Sequence, residues 1–333
     1  MKEAEIVASF QRLFARQAPG LVQGIGDDCA VIRAGRATWL VTTDSQVEGV
    51  HFRRETTTPR RLGRKCLAVN LSDIAAMGGR PRYAFLSLGL PPDLPRVFLT
   101  SLRRGLREEA ERYGVALAGG DTHRSPGGIS LGLTVIGEAG SRIAYRSGAR
   151  PGDALFVSGF LGQAAAGLKL STEPNNPVGG LSPAYRRELV AAHQCPRPQV
   201  ELGQFLVRRG YARAMIDLSD GLASDLGHLC RAGGVGARVY SESLPLSPAL
   251  RAAAPLWGSS PEEMALQGGE DYQLLWAVPP ALQESLPAQV KRHFGLVLFR
   301  IGEIIPQKRV LLKTSGRSRL LRFRGYDHFA AQA

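Results

Sequence analysis

Stretches of two-residue and of helical periodicity alternate from end to end of this chain, and that alternation confines it to folds that mix helices with sheets. Residues 1–18 read as a helix and TWLVTTD, 38–44, as a strand. A helix over 59–79 closes on Gly78 and Gly79. A strand over 82–91 leads to an amphipathic helix, 94–114, stopped by Gly114; strands follow at 115–121 and 129–139. The turn-rich RSGARPGD, 146–153, marks a boundary between an N-terminal domain, 1–145, and a C-terminal domain, 146–333. The second half repeats the style. It has a strand at ALFVSG, a helix over 161–170, a polar loop over 171–180, and helices near 183–193 and 198–209. A strand, turn and helix over 214–234 follow, then strands at ARVYSE and YQLLWAVP. No solenoid period is visible. The expected fold class is α/β (α+β) in two domains, which 333 residues with 44% apolar content can support.

Other classes are disfavoured. No apolar run is long enough to span a bilayer, and the N-terminus mixes charges into a helical pattern unlike a secretory signal. Cys29, Cys66, Cys195 and Cys230 form no CxxC pair, so a disulfide framework or zinc site is not expected and a reducing cytoplasm is. The formal charge of +13 favours polyanionic partners, yet the arginines are dispersed and form no basic block and no aromatic-interleaved RNA signature. No specific nucleic-acid or membrane partner is expected.

The chemistry is carried by acids at the ends of apolar runs. Asp27 and Asp28 lie in GIGDDCAVI, Asp44 closes TWLVTTD, and Asp121 closes VALAGGD. Asp217 and Asp220 lie in IDLSDG, and Glu270 and Asp271 in GGEDYQ. Each stands beside glycine or a small hydroxyl residue, in turns that can set oxygens against a bound group. A single such aspartate is ordinarily a turn residue or a helix cap, and Asp220 could cap a helix starting near Leu222. Repetition of the pattern points instead to hard oxygen ligands of the kind Mg²⁺ takes, together with waters and phosphates. Asp73 differs, because it sits on a helix among Leu71, Ile74, Ala75 and Met77. A buried carboxylate needs a partner, either an arginine or lysine or a metal. The common phosphate-binding loops and GxSxG are absent; VSGFLGQAAAG, 157–167, could hold phosphate at a helix N-terminus or could use its glycines for tight packing.

Taken together, GIGDDCAVI, VTTDSQVEGVHF, KCLAVNLSDIAAMGGRP, GGDTHR, RSGARPGD, IDLSDGLASDLGHL, GGEDYQL and GYDHF resemble the thiamine-monophosphate kinase family, in order and over residues 24–329. The resemblance implies a two-domain architecture like that of aminoimidazole ribonucleotide synthetase, dimerising through the N-terminal sheet. It implies in-line transfer of the ATP γ-phosphoryl group to thiamine monophosphate with several Mg²⁺ ions, the last step of thiamine diphosphate synthesis. It makes Asp28, Thr42, Thr43, Asp44, Asp73, Asp121, Asp217 and Asp220 metal ligands. Gly120, Asp121, Arg146 and Ser219 become ATP contacts, and His51, Glu270 and Tyr326 contacts to thiamine monophosphate. No residue is expected to act as a general base. Ser45, Gln46 and Gly79 depart from the family's commoner residues.

Two rivals stay on the table. Another ATP-dependent enzyme of the same superfamily would share GGD and LSDG. A selenophosphate-type enzyme, however, would want a reactive cysteine, and Cys29 lies among acids that raise a thiol pKa. A basic nucleic-acid-binding protein would explain the charge and leave the acidic turns unexplained.

Overall fold

A computed structural model describes residues 3–14, 18–173 and 180–322. Two mixed sheets organise it. The first has the order β1 (Leu21–Gln23), β2 (Ala30–Ala34), β3 (Ala37–Val47), β6 (Ser130–Glu138), β4 (Arg80–Leu90), β5 (Ala116–Arg124). The second has the order β13 (Arg317–Leu320), β12 (Val310–Thr314), β9 (Gly236–Tyr240), β11 (Phe299–Ile305), β7 (Ala154–Val157), β10 (Leu274–Val278), β8 (Ala214–Asp217). Strands pair antiparallel except β4 with β5 and β9 with β12. No helix among the described residues is long and apolar enough to cross a membrane. The four cysteines are all unpaired.

Between the sheets runs α2, Pro59–Ala76. Thr58 caps it, its side chain accepting the Arg61 amide, and Pro59 suits the first turn. Its apolar residues Leu62, Leu67, Leu71 and Ile74 pack with Leu131, Leu133 and Val135, the inward-facing positions of β6. The helix α3, Arg96–Tyr113, crosses α2 at glycines on both sides. A Cβ on Gly63 would lie 2.1 Å from the Leu102 carbonyl oxygen, and one on Gly105 would lie 1.8 Å from that of Arg60. Only glycine permits that approach.

The second sheet is covered on both faces, which is why β7, β8 and β10 are buried at every residue. Phe156, Met215 and Trp276 face α2 and α6 (Val200–Arg208). Leu155, Ile216 and Leu275 face a second core with α4 (Gln163–Thr172), α7 (Leu222–Gly233) and α8 (Pro248–Ala253). The remaining helices are α1 (Glu3–Leu13), α5 (Pro183–Gln194), α9 (Pro261–Gln267) and α10 (Leu286–Phe294).

Several boundaries move from the sequence expectation. The first helix stops at Leu13. Asp44 and Asp121 lie inside β3 and β5 instead of closing them, because ladder pairing continues past both: Asp44 opposite Leu133, and Asp121 opposite Ser87. Asp217 does close β8.

Candidate active site

Three carboxylates meet where α2 passes between the sheets. Asp28 comes from the turn before β2, Asp73 from the last turn of α2, and Asp217 from the end of β8. One oxygen of each lies within 4.8 Å of the others. Asp73 Oδ2 accepts the Thr42 hydroxyl at 2.6 Å. Arg146 donates to Asp28 Oδ1 from Nη2 at 2.6 Å and from Nε at 3.1 Å, while its backbone N–H reaches Asp27 Oδ2 at 3.1 Å. Asp28 Oδ2 and Asp217 Oδ2 are buried without a hydrogen-bond partner.

Burial first, and then repulsion from Asp217 and Asp28, drives the Asp73 carboxyl well above the usual carboxylate range. Burial and Asp28 push Asp217 up to about 7. Burial also raises Asp28 despite Arg146. One guanidinium faces three carboxylates, so the cluster is short of positive charge. Orphaned oxygens and hard, closely spaced donors are what a divalent cation of the Mg²⁺ type requires. Among the described residues no lysine or arginine pairs with Asp73, which removes the ion-pair alternative for it. Cys29 is buried beside the cluster, its thiol raised by burial and by Asp73 and Asp28, as an inert cysteine's should be.

Next to the cluster a cavity of about 340 Å³ brings together Asp44 and His51 from the first half and Ser219, Asp220 and Glu270 from the second. His51 Nδ1 accepts the Val47 amide at 3.0 Å, which fixes the ring at the turn after β3. The segment 268–272 lies against 218–219 through Glu270 N to Ser219 O, 2.7 Å, and Tyr272 N to Leu218 O, 2.8 Å. Glu270 and Tyr272 hold φ of +66° and +48°, the two positive values among described non-glycine residues, and both line the cavity. Backbone held in that region concentrates at functional sites.

Glu270 is electrostatically unlike the aspartates. Lys65 Nζ lies 2.6 Å from Oε1 and His193 Nδ1 2.8 Å from Oε2. Burial works to raise its pKa, but Lys65 and His193 overcome that and hold it at about 2.

Other expected residues stand apart. Thr43 faces away from Thr42, and its hydroxyl donates to the Leu133 carbonyl at 3.1 Å. Gly120 and Asp121 are exposed on β5, the sheet edge, where His123 Nδ1 stands 3.2 Å from Asp121. Tyr326 lies outside the described residues. Two bland alternatives are settled by geometry. Asp220 does not cap α7: Asp225 Oδ2 accepts the amides of Asp220 and Gly221, both at 3.1 Å. The 157–167 turn is no phosphate cradle, since Asp271 takes the Gly162 and Ala164 amides at 2.5 and 3.1 Å. The sequence reading missed Lys65, His193, Tyr272 and Asp225. Only Lys65 carried a signal, lying on one helix with Asp73, eight residues earlier.

Family models for the AIR synthase related protein match in both halves, the N-terminal domain over residues 26–139 and the C-terminal domain over 150–313. Thiamine-monophosphate kinase of Escherichia coli strain K12 is 38% identical over 312 residues, 92% of each chain. The chain belongs to the thiamine-monophosphate kinase family. The Bacillus subtilis strain 168 member is 36% identical and covers 92% of this chain and 93% of its own. The solved structure of AaThiL complexed with AMPPCP and TMP superposes with TM-score 0.84 at 32% identity, covering 98% of this chain and 97% of that one. A kinase family explains the acidic turns, and the nucleic-acid and selenophosphate alternatives lose their ground.

Proposed function

We propose that this chain transfers the γ-phosphoryl group of ATP to thiamine monophosphate, giving thiamine diphosphate and ADP. The observation that carries the reading is the convergence of Asp44, His51, Ser219, Asp220 and Glu270 on one cavity beside the Asp28–Asp73–Asp217 cluster. A related structure complexed with AMPPCP and TMP supports the two substrates. A phosphate oxygen of the acceptor forms the new P–O bond as the β–γ bridging bond breaks and ADP leaves with its electrons. A phosphomonoester's second pKa is about 6, so the nucleophile is ionised at neutral pH and no side chain must take a proton. That agrees with a site rich in aspartate.

Asp28, Asp73 and Asp217 would hold magnesium, with Thr42, Asp44 and Asp220 as further ligands in the same chain; the Thr43 hydroxyl, turned to the Leu133 carbonyl, would not join them. Bound magnesium would offset the repulsion between the two phosphate-bearing substrates. Arg146, oriented by Asp28, adds positive charge at the cluster, and Ser219 and Gly120 would contact ATP. His51 and Glu270 would contact thiamine monophosphate from the cavity wall, joined by Tyr326. Residues 1–145 would supply most of the metal ligands and 146–333 would complete the acceptor side.

A homodimer through the first sheet belongs to the same proposal. All nine residues of β5 are exposed, an edge that soluble proteins ordinarily cover. Asp121 shares a ladder row with Ser87, Gly132 and Ser45, so it stands three strands from β3, roughly 14 Å away at the usual strand spacing. We propose that Gly120 and Asp121 serve the nucleotide site of the second copy.

The test is a product assay with ATP, Mg²⁺ and a panel of thiamine, thiamine monophosphate and aminoimidazole ribonucleotide precursors. Thiamine diphosphate should form from thiamine monophosphate alone. Robust turnover in complete absence of divalent metal, or preference for another acceptor, overturns the reading.

A further inference from the structure

We propose that Lys65 and His193 are positioning residues that clamp the Glu270 carboxylate against the wall of the acceptor cavity, so that its remaining lone pairs present a fixed negative charge to a cationic or N–H-donating group of the acceptor. The inference rests on the reading of that cavity as the acceptor site.

Lys65 is 4% exposed, on α2, and its Nζ meets Glu270 Oε1 at 2.6 Å. His193 is buried near the end of α5 and meets the other oxygen at 2.8 Å. A lysine so buried is costly unless it is paired, and a glutamate side chain 25% exposed to a cavity needs no lysine to stay soluble. The expense makes sense if the carboxylate must stay ionised and in place. The backbone repeats the message. Glu270 holds φ of +66°, a conformation unfavourable to a side chain, and the loop is fastened on both sides of it. Its own amide bonds Ser219, the Tyr272 amide bonds Leu218, and the Asp271 carboxylate takes the amides of Gly162 and Ala164 at the start of α4. Glu270 is thus held through backbone and side chain by α2, α5, α4 and the Leu218–Ser219 segment. Each carboxylate oxygen has a second lone pair, and the exposed edge lines the cavity beside His51 and Tyr272. A thiamine phosphate offers both classes of group, a positively charged thiazolium ring and an aminopyrimidine with N–H donors.

The test is a double-mutant cycle on the full chain, using Lys65→Met and Glu270→Gln singly and together, with Lys65→Arg and His193→Gln alongside. Steady-state kinetics should give an acceptor KM raised by about ten- to a hundredfold for Lys65→Met, with the KM for ATP nearly unchanged. Adding Lys65→Met to Glu270→Gln should raise the acceptor KM little further, because the group it positions is already gone. Lys65→Arg should recover part of the loss, and His193→Gln should raise the acceptor KM by a smaller factor. Effects of Lys65→Met and Glu270→Gln that multiply, or that fall equally on ATP and acceptor, overturn the proposal. Melting temperatures of the same four metal-free proteins read the coupling without substrate: Lys65→Met should lower the melt of the wild type and not that of Glu270→Gln. An additive melt cycle also overturns it. If wild type fails to phosphorylate thiamine monophosphate, the functional reading falls, while the melt cycle still decides whether the clamp exists.

Discussion

Two kinds of carboxylate lie side by side, both largely withdrawn from solvent. Asp28, Asp73 and Asp217 face one another with one guanidinium among them; burial raises all three pKa values, and repulsion adds to it at Asp73 and Asp217. Glu270 is half-buried, yet Lys65 and His193 hold it at about 2. The difference is whether the protein supplies the counter-charge itself. Where it does, the charge is permanent and suits holding one group of one substrate. Where it does not, the deficit is one that the proposed magnesium would make good.

The comparison breaks most directly at Asp73. Asp73→Asn keeps the shape and removes a charge, and should cost on the order of a thousandfold or more in turnover. Its metal-free melting temperature should equal or exceed the wild type's, because an amide costs less to bury than an unpaired carboxylate. Wild-type turnover with a strongly lowered melt would make Asp73 a structural partner. In the same melts, saturating Mg·ATP should stabilise the wild type by about 2.7 kcal/mol at a hundred times its dissociation constant, and Asp73→Asn hardly at all. An equal gain in both proteins would show that the triad does not hold the metal.

Titration should have opposite signs at the two places. Asp217 binds its proton more tightly folded, at about 7, than unfolded, near the ordinary 3.9. Metal-free stability should therefore fall as pH rises through that interval, by at most about 4 kcal/mol. Asp217→Asn should flatten the slope in melts with chelator from pH 4 to 7. Glu270 does the reverse: its contribution is present above about 4.3 and is lost as pH falls toward 2. Glu270→Gln should remove that acid-side loss, and a matching acid slope in both proteins would sink the assignment.

The smallest effect tests the sheet edge. Asp73→Asn and Asp121→Asn should each be inactive alone. Mixed and re-associated in equal amounts, they should recover about a quarter of wild-type turnover, as sites built across a two-fold interface do. No recovery, in a preparation that sedimentation shows to be mixed dimers, would place Asp121 in its own chain's site or in none.

Much of the architecture was legible because periodicity and glycine stops act locally. The helix at 59–79, the strand at 82–91 and the strand–turn–helix at 214–234 fall within a few residues of α2, β4 and β8–α7. β2, whose AVIRA run is short, and β11 to β13 escaped notice, since their pairing is decided by partners far along the chain. In the site, Asp28, Asp73 and Asp217 announced themselves through their turns or an unsuitable setting. Lys65 and His193 did not. A lysine on a helix and a histidine near a helix end look like ordinary surface residues until 205 positions of sequence are folded back between Lys65 and Glu270. Asp225 was hidden for the opposite reason, since its neighbour Asp220 offered a plausible cap.

Lys65 and Asp73 ride on the same rod. Eight residues of helix separate them by about 12 Å along the axis, a spacing that hydrogen bonds keep to fractions of an ångström. Lys65 holds Glu270 at the cavity wall and Asp73 stands in the carboxylate cluster, so the distance between those two places is gauged by a single element. Gly63 and Gly105 let α3 press against that rod backbone to backbone, like a straightedge clamped to a bench.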